Sequence, residues 1–533
     1  MYIVIVDTAQ IQPYIFGSNR LKENIGASYL VAQATGSWAD ICLSPTMKRL
    51  YAGGGNFVAS AESEKSAQQF IRKLSKKTLS EAPGLQLAMT YWKQEDGETL
   101  ATTVQNTFLQ LAKEKQARAH KEPLLGLGIT VMCGSTALPA AGWSDKGDDR
   151  YPASAEILAK LGINNKATKR LVAQHLPPDG FDYPRDFDDI GREKDEQSHI
   201  AVIHADGNGI GKKFQEIIDR HLEKDDDEGY LKDIQSLSKN MEKASQAALQ
   251  ATLQTLYSRI YADEPDKKDA IRQRNAKGNN IAEVLLKKEG DTTYLPFRPL
   301  VFGGDDVTFV CDGRLGISLA VEYLRQFEKH TEAIIGEKFT ACAGIAIVKS
   351  HYPFARAYAL AEELCNSAKK YRQQHNLDSC LDWHFALTGL SGSIDDIRKR
   401  EYTIYEPSKD AGDSEKRLTL RPLTLDGNNE ETHRSFNVVY DGVAAFQDLA
   451  LKQGEEPKWS TRRNKVKSLR KALRDGSAGV RRFRTMYGLE KLPEIDVSKN
   501  SDFQSSGWWT DSCGYFDAIE MMDWFISMEA PKQ

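Results

Sequence analysis

A Gly-Gly-Asp-Asp tetrapeptide at residues 303–306 constrains the fold of this chain more than any other feature, because short apolar runs flank it at 300–302 and 307–310. Apolar and β-branched residues on both sides of a glycine-containing turn predict a β-hairpin. Glycines let the backbone turn sharply and let a ligand approach it closely. The tip then holds Asp305 and Asp306 side by side, where like charges repel unless a cation neutralises them. The tip is therefore a candidate site of metal-dependent phosphoryl transfer.

The second half of such a site lies upstream, where the apolar strand 200–204 runs into the sequence Ala-Asp-Gly-Asn-Gly at 205–209. An aspartate at the end of a central strand, followed by glycines that open toward a helix, places a carboxylate and main-chain amides beside a triphosphate. Two divalent ions such as Mg²⁺, held by Asp206, Asp305 and Asp306, would activate an attacking hydroxyl and stabilise the leaving pyrophosphate. Each motif alone also fits a plain turn or loop, whereas the two together favour a catalytic palm domain.

Length and charge bound the architecture. The usual domain size divides 533 residues into about three domains. Hydrophobic residues make up 40% of the chain and charged residues 27%, which is typical of a soluble protein with well-filled cores. The net charge of −4 creates no general attraction for nucleic acid, so any such contact must be local.

Targeting and metal signals are few. The amino terminus lacks the basic flank and cleavage site of a signal peptide, and no apolar run reaches the length of a membrane span. The seven cysteines are scattered, without a Cys-x-x-Cys pair. This spacing argues against a zinc site and for free thiols in the cytoplasm.

The pattern of apolar residues predicts an α+β fold with two ferredoxin-like palm domains in tandem, followed by a mainly helical C-terminal domain. The first section, 1–180, has a strand, a helix, a hairpin, a helix and a strand in the order of a split βαβ unit. An acidic stretch, 181–197, predicts a linker. The second section, 198–390, repeats the order and contains a charged segment, 265–290, that we expect to be a flexible insertion. Within the first section the pattern predicts helices at 27–43, 64–80 and 99–118, strands at 2–6 and 85–92, and a hairpin tip at 52–56.

The two sections differ where chemistry would occur. The first hairpin tip has Gly53, Gly54, Gly55 and Asn56 where the second has two glycines and two aspartates. The first palm therefore lacks the metal-binding carboxylates, and we expect it only to hold a nucleotide. A flexible loop without a ligand is the alternative. The candidate nucleotide contacts in the second palm are Gly207, Asn208, Gly209, Gly303 and Gly304.

The third section, 395–533, contains a basic run at 458–484 with ten arginines and lysines between Arg462 and Arg484. Such a run is commonly the solvated face of a helix. Binding to RNA, or docking on an acidic partner, is the alternative interpretation.

These residues resemble a known family, the large polymerase-like subunit of type III CRISPR effector complexes, which is related to the Gly-Gly-Asp-Glu-Phe cyclases. The resemblance covers about residues 1–390. In the first palm it rests on Gln10–Phe16, Asn19–Glu23, Gly26–Ser28 and Gly53–Asn56, and in the second on Ala205–Gly207, Gly303–Asp306 and Ala368–Lys369.

The resemblance implies synthesis of signalling nucleotides, typically cyclic oligoadenylates, from ATP or another nucleoside triphosphate with two Mg²⁺ or Mn²⁺ ions. Asp206, Asp305 and Asp306 would hold the metals and act in catalysis, and Lys369 would meet a phosphate. The tip Gly53–Asn56 would cover the acceptor nucleotide, and RNA or other effector subunits would be partners in antiviral defence.

Three departures from the family pattern matter. The chain starts directly at the first palm without a His-Asp dipeptide, so we expect no HD nuclease activity. The paired cysteines of many members are missing, and Asn208 stands where relatives often have an acidic residue. A catalytically silent structural subunit and a cyclic-di-GMP cyclase are the competing functions. The second fits less well, because two palms on one chain replace homodimerisation.

Overall fold

The computed structural model describes residues 1–53, 55–117, 127–144, 150–190, 198–222, 226–262, 269–387, 392–407, 413–426, 433–451, 458–495 and 501–529. The predicted tip residue Gly54 lies outside these ranges. Within them, no helix is long and apolar enough to cross a membrane.

The first section forms a four-stranded antiparallel sheet in the order β2-β3-β1-β4. Alternate residues of β1 point to opposite faces, so Val4 and Val6 pack with α2 and α4, while Ile3 and Ile5 pack with α5. Its elements are β1 (Tyr2–Ala9), α1 (Ile11–Phe16), α2 (Leu21–Ala34), α3 (Ser37–Cys42), β2 (Met47–Gly53), β3 (Asn56–Ala61), α4 (Glu64–Glu81), β4 (Gln86–Lys93) and α5 (Leu100–Ala117).

One predicted helix differs from the structure. The expected helix 27–43 begins earlier, at Leu21, and is divided into α2 and α3. Gly36 lies at the break, with φ −117° and ψ −112°, a backbone conformation outside the helical region. The periodic apolar pattern continues through both helices, which is why the sequence predicted a single one.

The remainder of the first section packs against α2. Gly26 lies directly against the carbonyl of Lys160, where any side chain on residue 26 would overlap α6. The glycine of the Gly-Ala-Ser motif therefore permits a close helix crossing. The elements here are β5 (Gly142–Trp143), β6 (Pro152–Ala153), α6 (Ala155–Gly162), α7 (Asn164–Gln174), β7 (Phe181–Asp182) and a short 3₁₀ helix (Phe187–Asp189).

The described part of the predicted linker, residues 181–190, contributes buried side chains and a short strand. Tyr183, Phe187 and Ile190 are buried, and β7 pairs in parallel with a strand of the second section. Residues 181–190 therefore belong to the packed structure and do not form an exposed connection. Residues 191–197 lie outside the described ranges, and the exact domain boundaries stay predictions.

The second section repeats the sheet order of the first. Four of its strands are arranged β13-β14-β8-β15, with β8 antiparallel to both β14 and β15. The predicted tandem of ferredoxin-like domains is thereby confirmed. The elements are β8 (His199–Gly207), α8 (Ile210–His221), α9 (Asp227–Ala262), β9 (Ala270–Arg274), β10 (Asn280–Leu285), β11 (Lys288–Glu289), β12 (Thr292–Tyr294), β13 (Phe297–Val301), β14 (Val307–Asp312), α10 (Gly316–Ile335), β15 (Ala341–Lys349), α11 (Phe354–His375) and β16 (Cys380–Ala386).

The expectation of a flexible insertion at 265–290 is wrong for its described part. Residues 270–285 form the antiparallel hairpin β9–β10, in which Ile271 and Val284 are fully buried. Gln273 accepts a hydrogen bond from the amide of Ser527, 2.9 Å away, in the C-terminal section. The charged side chains alternate with apolar ones, so one face of the hairpin is covered. Residues 265–268 lie outside the described ranges.

The third section is mainly helical with a small four-stranded sheet, β17-β18-β21-β20. Its core is continuous with that of the second palm, because Trp383 on β16 belongs to the same buried cluster as Leu420 and Phe516. The elements are α12 (Ile394–Glu401), β17 (Thr403–Pro407), β18 (Asp413–Arg417), β19 (Leu423–Thr424), α13 (Phe436–Phe446), α14 (Arg463–Arg474), α15 (Gly476–Tyr487), α16 (Ser501–Ser506), β20 (Trp508–Trp509), β21 (Ser512–Cys513) and α17 (Phe516–Met521).

Several side chains of the basic run on α14 and α15 form ion pairs or hydrogen bonds with other parts of the protein. Arg463 pairs with Asp523 at 3.1 Å, Arg470 pairs with Glu520 at 2.5 Å, and Arg484 donates to the carbonyl of Ser505 at 3.0 Å. The run is therefore partly a structural element of the C-terminal section.

The two palms meet at α11. Phe16 stacks on Tyr358 with ring centroids 3.9 Å apart, and the side-chain Oδ1 of Asn19 accepts a hydrogen bond from the Phe354 amide at 2.8 Å. Gln12 donates to Glu362 at 2.7 Å. The first-palm motif residues of the sequence thus cover the helix that carries Lys369, and they fix its position.

Candidate functional site

Asp206 lies near the end of β8, in the middle of the second-palm sheet. Its side chain is 26% exposed, at the edge where β8 gives way to α8. Gly209 takes the left-handed conformation, φ 74°, immediately before α8 begins. A glycine is favoured at this turn, which lets the chain leave the strand and start the helix beside the carboxylate.

The hairpin tip lies next to Asp206. Val307 pairs with Ala205 across the antiparallel sheet, so Asp306 stands opposite Asp206. A side chain at Gly207 would bring its Cβ to 3.2 Å from the Cβ of Asp305 and would overlap Ile210. The glycine at 207 therefore permits the close approach of the tip, and Gly303, with φ 106°, permits the turn itself.

Three side chains converge at this point: His204, Asp206 and Asp306, whose ligand atoms all lie within 4.8 Å of one another. His204 was not among the site residues predicted from the sequence. The signal was available, because residues i and i+2 of a strand share a face, so His204 and Asp206 point the same way. Asp305, which we expected to be a metal ligand, lies outside this group and lines a neighbouring cavity.

Lys369 places its amine on the carboxylate of Asp206 in an ion pair. Its side chain is 25% exposed, and burial lowers its pKa. Lys369 is therefore a half-buried, paired side chain and not a lysine that extends into solvent. The amine neutralises one carboxylate of the site, as expected where acidic groups crowd together.

Electrostatics at the site favour a cation. Burial raises the pKa of Asp305. Loss of hydration among the surrounding protein atoms, together with the negative charges of Asp305 and Glu362, raises the pKa of Asp306. Burial and the charge of Lys369 lower the pKa of His204 to about 4, so its imidazole is neutral at pH 7. The two carboxylates suit Mg²⁺ or Mn²⁺, which prefer oxygen ligands, and the neutral imidazole of His204 adds no charge that would repel a cation, so these residues fit a divalent ion.

A cavity of about 290 Å³ separates the two hairpin tips. Gly53 and Asn56 of the first palm line it together with Gly303, Gly304 and Asp305 of the second. Aromatic side chains, Tyr51, Phe108 and Phe214, complete its wall. The structure thus brings both predicted tips to one place, as a nucleotide site between the palms requires.

The first-palm tip residues have distinct surroundings. Gly53 lies against Ser238 of α9, whose hydroxyl donates to the carbonyl of Ala52 at 3.1 Å. Gly55 has φ 81° and neighbours Thr8. The side-chain oxygen of Asn56 is buried and has no hydrogen-bond partner among the described residues. An unpartnered acceptor at a cavity wall is available to a ligand donor.

Asn208 turns away from the carboxylates. Its side-chain amide donates to the hydroxyl of Thr340 at 3.0 Å, and its main-chain amide donates to the carbonyl of the same residue at 2.8 Å. It holds α8 to the start of β15, so its part in binding a nucleotide stays a prediction.

The first palm retains a partial copy of the site. Asp7 pairs with Lys115 as Asp206 pairs with Lys369. Asp7 also stands opposite Asn56 across the sheet. Lys115 and Lys369 each lie fifteen positions after the first residue of their helices, α5 and α11. The duplication therefore kept the aspartate–lysine pair and lost the hairpin carboxylates.

The comparisons with known proteins agree with this geometry. Residues 199–377 match the family model of the Cas10/Cmr2 second palm domain. No curated protein matches the chain in sequence.

Solved structures extend the likeness in fold. Structures of a Csm1–Csm4 cassette in complex with cA4, cA3 and AMPPNP are similar to the chain, with TM-scores of 0.50, 0.52 and 0.50. Each is 13% identical in sequence, and the match covers 98% of this chain and 70%, 69% and 69% of theirs. Residues 199–377 therefore match a Cas10/Cmr2 second palm domain, and the fold of the chain is similar to that of the Csm1–Csm4 cassettes.

Proposed function

We propose that the chain is a nucleotidyltransferase that makes an oligonucleotide second messenger, cyclic oligoadenylate above all, from ATP in a cytoplasmic type III CRISPR effector. The observation that carries the proposal is the convergence of His204, Asp206 and Asp306 beside a cavity between two palm hairpin tips. Such a site combines a charged centre with an enclosed, partly aromatic space for a base.

The residues have separable roles. His204, Asp206 and Asp306 would hold a divalent ion, which supplies charge stabilisation and lowers the pKa of an attacking hydroxyl. Asp305 stands at the cavity wall, between that centre and the nucleotide space. The glycines Gly303 and Gly304 leave their main chain open to a base or a phosphate. Lys369 lies close enough to the charged centre to balance the phosphates as well as Asp206.

The similar structures support the substrate class. Their cassettes are in complex with cyclic adenylates and with AMPPNP. Adenine nucleotides are therefore the first substrates to test here. The retained Asp206, Asp305 and Asp306 favour turnover over a silent structural role, because crowded carboxylates are costly without a cation.

RNA or other effector subunits would contact only part of the basic run at 458–484, because some of its side chains are already paired within the protein. Five exposed cations of the run have no ion pair in the described ranges: Arg462, Lys467, Lys471, Arg474 and Arg481. Arg474 donates to the carbonyl of Glu401 at 2.9 Å, which leaves the other four. These four side chains are free for phosphates or for an acidic partner.

The test is product formation. The purified chain is incubated with each nucleoside triphosphate and with Mg²⁺ or Mn²⁺, and the products are identified by mass spectrometry. We expect adenylates from ATP. In the double variant Asp305→Asn, Asp306→Asn the rate should fall by about a thousandfold or more, because charge stabilisation of the transition state is lost.

A matched control removes two exposed carboxylates elsewhere, Glu289→Gln with Asp291→Asn, and should keep full activity. Near-normal turnover in the Asp305, Asp306 variant would contradict the site assignment. A wild-type protein that binds ATP and makes no product from any nucleotide would favour the silent subunit.

A further inference from the structure

A second cavity, of about 800 Å³, lies on the other side of α11 from the catalytic centre. One wall is a polar stripe of α11 and the other is the C-terminal segment between β18 and α13. We call it the α11 groove and define it by six residues: Asn366, Lys370, Tyr371, Arg417, Arg421 and Arg434. It shares no lining residue with the cavity between the hairpin tips.

Arg434 is held in place for a ligand. Its guanidinium donates to the carbonyls of Leu420 at 2.6 Å and Pro422 at 3.2 Å, and one face lies 4.1 Å from the centre of the Tyr371 ring. Among the described residues no carboxylate pairs with it. Its charge is therefore oriented by neutral groups and remains available to an anion.

Arg421 adds a buried donor at the same wall. The side chain is 1% exposed and pairs with Asp517 at 3.4 Å and Glu520 at 2.9 Å. Its Nη1 has no hydrogen-bond partner in the part of the chain that the structure describes. A buried N–H without a partner is costly, and an anionic acceptor would remove that cost.

Charge in the groove is uneven along α11. Lys370 is exposed and has no ion pair within the described ranges, and Arg417 has only a 3.5 Å contact with Asp511. Three carboxylates also line the groove: Glu362, Glu363 and Asp395. Glu363 accepts a hydrogen bond from the amide of Ile394, so it lies with Asp395 beside the N-terminal half of α11. Glu362 lies toward Asp306. The C-terminal half of the groove is therefore cationic.

We propose that the α11 groove binds a phosphorylated nucleoside, either a free nucleotide or the end of an RNA strand. The phosphate would lie among Lys370, Arg417 and Arg421. The base would stack on the guanidinium plane of Arg434, whose other face Tyr371 covers, a mode that proteins use for nucleic-acid bases. A bare phosphate would leave most of the 800 Å³ empty, which is why the ligand includes a nucleoside.

The position of the α11 groove indicates which part of the protein a bound ligand would affect. The neighbouring face of α11 carries Lys369, the partner of Asp206. A ligand in the groove would therefore contact the helix that positions the catalytic centre. The proposal does not depend on turnover, since it concerns a separate cavity.

The test is calorimetric titration of the full chain in EDTA with AMP, with a 5′-phosphorylated RNA tetranucleotide and with inorganic phosphate. The background variant is Asp305→Asn, Asp306→Asn, so the catalytic centre contributes little. Adding Lys370→Gln with Arg417→Gln should weaken nucleotide binding about tenfold or more, because charge-assisted hydrogen bonds are lost. The control pair Lys65→Gln, Arg72→Gln removes the same charge from the exposed side of α4 and should leave affinity unchanged.

The outcomes are distinct. Binding of AMP and RNA alike supports a free nucleotide, and binding of RNA alone supports a strand end. Equal affinities in the groove and control variants would overturn the proposal, as would binding of inorganic phosphate as tightly as of AMP. Photolabelling with 8-azido-AMP gives a second measurement, and we expect modification of the α11 peptide that contains Tyr371. Labelling confined to other peptides would also overturn the proposal.

Discussion

At the scale of single residues, the centre is a balance of charges in a small space. Asp206 is neutralised by Lys369, while Asp306 faces it from the hairpin tip and His204 stays neutral. Without the lysine the two carboxylates would face one another uncompensated. We therefore expect a divalent cation to act on the same charges as the lysine amine.

Lys369→Ala tests this balance. We expect slower turnover or a higher ATP requirement, with the α11 helix intact, because the phosphates lose a nearby cation. The metal-free variant should also melt at a lower temperature than the wild type, and Mn²⁺ should restore much of the difference. Thermal unfolding with and without Mn²⁺ measures this, with the exposed Lys329→Ala as control. Unchanged kinetics together with unchanged melting would contradict the assignment.

At the scale of elements, α11 positions most of the site because it packs on the sheet at very short range. Gly344 of β15 lies directly under the helix, where a side chain would overlap the carbonyl of Ala361 and the amide of Cys365. On its other sides the helix meets Phe16 and Asn19 of the first palm. Its position is therefore set from both palms.

Gly344→Ala should displace α11. Overpacking of this kind typically costs about 1–3 kcal/mol of stability. Activity should fall more than stability does, since Lys369 moves with the helix. Urea unfolding and product assays on the same protein measure the two effects. Gly162→Ala is the matched control, because an added methyl there meets no atom within 4 Å. A stable and fully active Gly344→Ala variant would contradict the close-packing account.

Strand β16 joins the second palm to the C-terminal section and carries a buried histidine. Burial, with the charges of Arg421 and Arg398, lowers the pKa of His384 from 6.5 to about 3. The unfolded chain takes up a proton as pH falls below 6.5, whereas the folded chain does not until about pH 3. Stability is therefore full above pH 6.5 and is lost as pH falls toward 3.

At pH 5 this histidine should account for about 2 kcal/mol of lost stability relative to pH 7.5. The variant His384→Gln should lose less stability over the same interval, because its side chain does not titrate. Urea unfolding of both proteins at the two pH values gives the comparison. Parallel losses in the two proteins would show that His384 is not the cause.

At the scale of the whole molecule, two palms of the same sheet order face one another through their hairpin tips. The first palm keeps Asp7 and Lys115 and lacks the tip carboxylates. We therefore expect one palm to bind metal and the other to bind a nucleotide alone. A single chain can supply both halves of a site that single-palm proteins would need a dimer to build.

We expect two nucleotides per chain, with metal only at the second palm. Titration with a non-hydrolysable ATP analogue and Mn²⁺ measures the stoichiometry. Asn56→Leu should weaken only one of the two nucleotides, because it removes the unpartnered oxygen at the first tip. A crystal grown with both ligands locates them. Manganese beside Asn56, or a single nucleotide at the second palm, would contradict the division of roles.

The amino-acid sequence by itself determined the tandem palms and the pairing of Asp206 with the second hairpin tip. Strand periodicity, glycine turns and the repeated order of elements can be read from short stretches of sequence. They do not depend on how distant segments pack together. The same local signals failed at Gly36, where an apolar pattern continues across a helix break, and at 265–290, where charge concealed a buried hairpin.

Only the tertiary structure decided which side chains share a site. His204 lies with Asp206 and Asp306, and Asp305 lies beside them, because strand register, which depends on pairing between distant segments, sets the direction of each side chain. The assignment of Asp305 as a metal ligand stays a prediction. Likewise the basic run is partly paired within the protein, and the partners of Arg463 and Arg470, Asp523 and Glu520, lie fifty to sixty residues away in the chain. Contacts of that separation leave no local trace in sequence, because burial and charge pairing depend on the packing of whole elements.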